Sequence, residues 1–309
     1  MDEKSVWAES PSLADPATCG EDLNYNLLRA LEIAPSLCDL CEDYHILFAA
    51  GRLAGRAGRI NGLETDRREV SAIVGKLISE RAALSRDDPV DIVIAGATDT
   101  GILATCAYGA QCADNGLMSR VRFTVLDACD TPLELCRDYA TRHGLVVTAE
   151  AIDLVDSARS FPADIIVHHS LLRFLSNDCH SRVMMNLRGW LKTGGRIVFS
   201  SSLSPPERQG AKQAHRSETN AAIRSMVEVG SIKISEPKAS FYARLERSLD
   251  RHDERNQRAI MRFARPEQLR DLFHASGLSV VSIQTLSSVS QISGTAPFKR
   301  DRLLAVLAA

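Results

Sequence analysis

The apolar positions change their period once along the chain, near Asp87. Before that point they recur at helical spacing, as in Leu27, Leu28 and Leu31, and then Val70, Ile73, Val74, Leu77 and Ile78. The spacing predicts helices over 27–33, 44–54 and 66–83. After that point the chain offers short apolar runs, VDIVIAG, VRFTVLDA, LVVTAEAID, ADIIVHHS, GGRIVFSSS, LSVVSIQTL and RLLAVLAA. Helical stretches such as Pro132 to His143 and Asp178 to Leu191 separate them. Short Val- and Ile-rich runs alternating with helices predict a parallel sheet buried on both faces. The expected fold is therefore α/β, doubly wound, with a mostly parallel seven-stranded sheet. The division falls between a helical cap over 1–86 and an α/β domain over 87–309.

Two further segments refine this outline. The last two runs have only SSVSQISGTAPFKRD between them, expected to be a loop, and without a crossover helix they should be antiparallel neighbours. The segment 205–263 is longer than a strand-to-helix link requires. Within it Phe241, Leu245 and Leu249 form one helical stripe, while Arg244, Arg247, Arg251 and Arg255 crowd other faces. This predicts a helical insertion that joins the N-terminal helices as a lid, with arginines able to hold a substrate carboxylate or to serve as a solvated face.

Composition narrows the function classes. The 309 residues are 45% hydrophobic and 25% charged with a formal net charge of −2, so nothing advertises a nucleic-acid or anionic-membrane partner. The start MDEKSVWAES has no secretory pattern and no run of 18 apolar residues occurs, which predicts a cytoplasmic protein without membrane spans. Eight cysteines are scattered through the chain. Cys38, Cys41 and His45 make a CxxC with a nearby histidine, and Cys19 is the candidate fourth ligand. The missing second CxxC or HxxxH favours packing in a helical region, so no resident metal is expected.

The chemistry concentrates after the first predicted strand, in DIVIAGATDTGILA (91–104), a strand running into a glycine turn and a helix. The motifs IVIAGATDTG, FTVLD, AEAID, DIIVHHSLLRFL and LRGWLKTGGRIVFSS follow in order, and FARPEQLRDLFHASGLSVVSI leads into the sixth run. In order and spacing this series resembles the class I S-adenosylmethionine-dependent methyltransferases over about 220 residues. The resemblance implies a Rossmann-like methyltransferase fold, S-adenosyl-L-methionine as cofactor, and methyl transfer to an O, N or S nucleophile of a small molecule. It implies that Gly96, Ala97, Thr98, Asp99 and Gly101 approach the cofactor through a turn one residue longer than usual. Asp99 either meets the ligand's ammonium or caps the helix from Ile102. Asp127, with Ala128 beside it, would accept the ribose hydroxyls, and Asp153, with Leu154, would border the adenine.

At the fourth strand, His168 and His169 point to opposite faces, so at most one looks directly into the site. Both are candidate bases, with His168 also a candidate cofactor contact. Ser170, Arg173, Tyr44 and His45 are candidate substrate contacts. Three other classes stay open. One is an S-adenosylmethionine enzyme that releases methylthioadenosine; another is a nicotinamide oxidoreductase, disfavoured by the absent GxGxxG and by the expected antiparallel tail. The last is a non-catalytic binding protein on the same fold. The N-terminal helices would equally serve to seal a homodimer.

Overall fold

The computed structural model describes residues 21–38, 41, 43–56, 60–61, 66–85, 87–113, 115–203, 211–257, 263–292 and 298–309; Cys19 lies outside them. The element order is α1 (Glu21–Leu37), α2 (Tyr44–Arg56), β1 (Ile60–Asn61), α3 (Arg67–Leu84), β2 (Val90–Ala95), α4 (Gly101–Ala113), β3 (Val121–Asp127), α5 (Asp130–His143), β4 (Val147–Ala151), β5 (Ala163–His169), α6 (Asn177–Trp190), β6 (Leu191–Leu203), α7 (Ala211–Glu228), α8 (Lys238–Gln257), α9 (Pro266–Ala275), β7 (Ser279–Ile292) and β8 (Phe298–Ala308). A short 3₁₀ turn, Leu171–Phe174, follows β5.

The seven predicted strands are β2 to β8, and the two-residue β1 adds an eighth at the edge beside β7. The sheet order is β1-β7-β8-β6-β5-β2-β3-β4. β2 pairs in parallel with both β3 and β5, β3 with β4, and β5 with β6. β8 enters antiparallel between β6 and β7, as the missing crossover helix requires. From β2 the chain builds outward to β3 and β4, then returns to place β5 on the other side. The carboxyl ends of β2 and β5 therefore flank the topological switch point, where open α/β sheets leave a crevice for ligands.

Both faces of the centre are covered. Ile92 and Ile94 of β2 pack with Val70, Val74 and Ile78 of α3 and with α4. Val93 and Ala95, pointing the other way, pack with Val183, Met184 and Leu187 of α6 and with Phe273 of α9. α3 thus belongs to the sheet's own core, and packing does not follow the expected boundary at 86/87. It crosses α4 at two glycines: a Cβ on Gly75 would stand 2.6 Å from the Gly109 carbonyl oxygen, and one on Gly109 would stand 2.5 Å from that of Ser71.

α1, α2, α7 and α8 form a separate apolar cluster that takes in Phe241, Leu245 and Leu249, together with Cys129 just before α5 and Leu135 within it. Arg244 and Arg247 are spent on Asp43, and Arg244 also on Glu236, so these two tie α8 to α2 and to its own lead-in. Two expectations need correction. The segment after Leu286 is strand through Ile292 and again from Phe298, because Ser287 to Ser290 pair with Asp301 to Phe298. β4 is an edge strand with no residue fully buried, so only the central strands are covered on both sides.

Candidate active site

The turn after β2 is tied to the tip of β3 by both backbone and side chain. Gly96 takes φ +84°, the left-handed region open to glycine, and its N–H donates to the Leu126 carbonyl at 2.8 Å. The Asp127 carboxylate accepts the Ala97 N–H on Oδ2 at 2.9 Å and the Cys129 N–H on Oδ1 at 2.8 Å. Its carbonyl accepts the Ile152 N–H at 2.8 Å, which brings Asp153 alongside. The turn and the two acids expected around one ligand therefore lie together. Burial pushes the Asp127 carboxyl up to about 6, with the two backbone N–H groups opposing it. Each oxygen keeps a lone pair for a further donor.

The other residues of the turn have local roles. Asp99 Oδ1 accepts the Gly101 N–H at 2.8 Å, so it caps α4, the alternative weighed against a ligand ammonium. Asp153 is exposed and accepts the Val155 N–H on Oδ1 at 2.8 Å. Thr98 is half-buried and Ala128 exposed. Thr100 is fully buried, and its hydroxyl finds no hydrogen-bond partner among the described residues. The space freed by both glycines is used by the protein itself: a Cβ on Gly96 would meet Leu171 at 2.9 Å, and one on Gly101 would meet the Arg67 guanidinium. Leu154 is buried in the apolar cluster with Leu126 and Phe161.

Beyond β5 the two histidines part as strand geometry demands. His168 is fully buried, its ring stacked on Phe199 at 4.8 Å and 6°. Neither ring nitrogen has a hydrogen-bond partner among the described residues, and burial pushes its pKa down to about 3. His168 is a core residue, which corrects its candidacy as base and as cofactor contact. His169 instead joins a polar network that local sequence does not announce. Its Nε2 lies 3.1 Å from Asp66 Oδ2 and 3.0 Å from Arg302 Nη2. Arg302 Nε donates to Asp66 Oδ2 at 2.9 Å, while Nη2 donates to Ser170 Oγ at 2.7 Å and Nη1 to Ser202 Oγ at 3.0 Å. The Ser200 hydroxyl also donates to Asp66.

Burial favours the neutral carboxyl of Asp66, but His169 and the Arg302 guanidinium outweigh it and hold Asp66 well below the usual carboxylate range. The same burial pushes His169 below its ordinary value, against the pull of Asp66. Arg302 supplies a standing positive charge opposite Asp66. Asp66 precedes α3, yet its side chain makes no cap bond, being committed to this network.

Ser170 takes φ +61° at the turn out of β5. Arg173 is exposed, lying over the Phe174 ring at 5.1 Å, and the Tyr44 ring meets Phe174 edge-on at 5.0 Å. Tyr44 therefore reaches the end of β5 from α2. His45 does not: it is buried among Cys38, Cys41 and Cys129, which corrects its candidacy as a substrate contact. A hollow of about 270 Å³ opens at the opposite, amino-terminal edge of β2 and β5, lined by Arg81, Asp91, Arg122, Asp164 and Lys192. Those charges are joined to one another in ion pairs, and the hollow lies away from the switch point. Among the described residues no helix is long and apolar enough to cross a membrane.

No family model and no curated protein matches the chain. Solved structures with a similar course include magnesium protoporphyrin IX methyltransferase from Synechocystis with bound S-adenosyl-L-homocysteine, at 12% identity and TM-score 0.45, covering 83% of this chain and 86% of that one. TehB from Haemophilus influenzae gives 10% and 0.43, covering 75% of this chain, which spans only 60% of that protein. The N-methyltransferase NodS from Bradyrhizobium japonicum, also in complex with S-adenosyl-L-homocysteine, gives 15% and 0.36, covering 76% and 84%. At such values these likenesses support no functional argument, and the α/β assignment stands on the strand order itself.

Proposed function

We propose that the chain is an S-adenosyl-L-methionine-dependent methyltransferase acting on a small-molecule acceptor. The observation that carries this reading is Asp127, whose carboxylate bridges from β3 to the 96–101 turn at the switch point of the sheet. In this reading its remaining lone pairs accept the ribose hydroxyls, Ala97 and Thr98 offer backbone to the ligand, and Asp153 borders the adenine. Arg67, packed on Gly101, brings a positive charge to the carboxylate of the amino acid end. The buried Thr100 hydroxyl is a polar group in the same turn that a ligand could satisfy.

The cofactor would supply the methyl group on a charged sulfur, and in-line displacement then depends mainly on alignment and on excluding water. Ser170, Tyr44 and Arg173 border the acceptor space, with α1, α2, α7 and α8 as its lid. In the tautomer whose Nε2–H donates to Asp66, removal of an acceptor proton would fall to His169 Nδ1.

Calorimetric titration with S-adenosyl-L-methionine tests this reading. Binding is expected, and Asp127→Asn should weaken it about 10- to 150-fold, the equivalent of one charge-assisted hydrogen bond. No binding to the intact folded chain refutes the reading. One observation favours a second reading, a non-catalytic protein on the same fold: Leu171 and Arg67 fill the space beside the turn's glycines. That reading predicts no heat in the same titration. Release of S-adenosylhomocysteine in the presence of an acceptor excludes it.

A further inference from the structure

Three cysteines and a histidine from two distant parts of the chain converge between the helical cluster and the sheet. Cys38 follows α1, Cys41 lies in the turn before α2, His45 is the second residue of α2, and Cys129 lies between β3 and α5. His45 Nδ1 stands 3.3 Å from Cys38 Sγ, 3.2 Å from Cys41 Sγ and 3.6 Å from Cys129 Sγ. Cys129 Sγ stands 3.9 Å from Cys38 Sγ and 3.6 Å from Cys41 Sγ, and all four donor atoms lie within 4.8 Å of one another. Cys38, His45 and Cys129 are buried and Cys41 partly so.

These separations can be compared with a known coordination shape. Zinc bonds of about 2.3 Å to sulfur and about 2.0–2.1 Å to nitrogen, set tetrahedrally, separate two sulfurs by about 3.8 Å and sulfur from nitrogen by about 3.5 Å. Hydrogen bonding among thiols accounts for one or two such contacts; here five pair distances fall near the edges of one tetrahedron. We propose that Cys38, Cys41, His45 and Cys129 bind one zinc ion. Three thiolates and one neutral imidazole suit a borderline-soft dication over the oxygen-seeking magnesium or calcium. The four protein donors complete the tetrahedron and leave no position for water, so the ion's part is structural.

The shell around the donors fits this assignment. The Thr131 hydroxyl lies 3.0 Å from Cys38 Sγ, placed to donate to a thiolate. The Cys129 N–H donates to Asp127 Oδ1, so the ion would fix the loop that aims this carboxylate. It would also clamp α1 and α2, and through them α7 and α8, against the α/β core. This inference holds whether or not the crevice binds S-adenosylmethionine.

The test uses the full chain, purified under reducing conditions without chelator. Elemental analysis should find about one zinc per chain. Cys38→Ser and Cys129→Ser should lose it, and Cys112→Ser, at an exposed position elsewhere, should retain it. Because losing a ligand can also unfold the chain, a second measurement uses the unmutated protein, stripped by a chelator and titrated with cobalt(II). Thiolate-to-cobalt charge transfer and intense tetrahedral d–d bands should saturate at one equivalent. Thr131→Val should leave the stoichiometry intact and weaken zinc about 10- to 100-fold. Fully reduced chain that takes up neither zinc nor cobalt overturns the proposal. So does a disulfide mapped among Cys38, Cys41 and Cys129 in protein that still binds no zinc after reduction.

Discussion

Replacing His168 separates two meanings of a histidine at the end of β5. The ring is fully buried against Phe199, and burial lowers its pKa from 6.5 to about 3. Above pH 6.5 it is neutral in both folded and unfolded chains, so it adds no pH dependence. Between that value and about 3 only the unfolded chain takes up the proton, and stability falls as the pH is lowered. The slope approaches about 1.4 kcal/mol per pH unit, and the total is on the order of 5 kcal/mol, comparable with the whole stability of many domains. His168→Leu removes this loss. It also removes two buried nitrogens without partners, a gain of about 1–3 kcal/mol near neutral pH, set against the lost ring stacking.

The assay is urea unfolding followed by circular dichroism from about pH 7.5 down to about pH 4 for both proteins. Asp66 also loses its stabilisation in acid, as a group with a depressed folded pKa must, but it does so in both proteins and cancels from the difference. The variant's advantage should widen steadily below pH 6.5. Parallel stability curves would refute the argument, and an imidazole signal from His168 titrating near its ordinary value would show that the ring meets water. Any methyl transfer should survive the substitution within a few-fold, which a base at this position would forbid.

Other substitutions probe other links of the argument. Gly109→Ala should force α3 and α4 apart, at a cost of about 1–3 kcal/mol or more by thermal unfolding, because its Cβ would meet backbone. Gly189→Ala in α6, with nothing within 4 Å, should instead stabilise by about 0.5–1 kcal/mol. Asp66→Asn should cost about 3–5 kcal/mol by leaving the Arg302 guanidinium buried without its counter-charge, and adding Arg302→Met should recover much of that loss. A double variant no more stable than Asp66→Asn alone would show that the pair is not the source of the cost.

The parts of the molecule legible in its sequence are those set by local periodicity. The stripe from Val70 to Ile78 marked α3, and the short Val- and Ile-rich runs marked β2, β3 and β5, because side-chain direction in helices and strands follows from spacing alone. Spacing also placed His168 and His169 on opposite faces, but which face met the core depended on Phe199 and Asp66, both remote in sequence. The Asp66–Arg302 pair joins residues 236 positions apart, and Cys129 reaches Cys41 across 88. Neither carries a local signal. Asp99 and Asp127 were both legible as acids near a ligand; only backbone geometry separated the helix cap from the carboxylate that ties the 96–101 turn to β3.

β8 is also the strand through which β7 and β1 reach the rest of the sheet, lying as it does between β6 and β7. Until residues 298–308 have been synthesised and slotted in, β6 has a bare flank and β7 has only the two-residue β1 to pair with. Arg302 arrives with that insertion, so the counter-charge of Asp66 comes only after β6 and β7 are made. Ribosome-bound intermediates of this chain should accordingly hold β2 to β6 together as a half-finished sheet with a sticky margin, the stage at which a chaperone has most to protect.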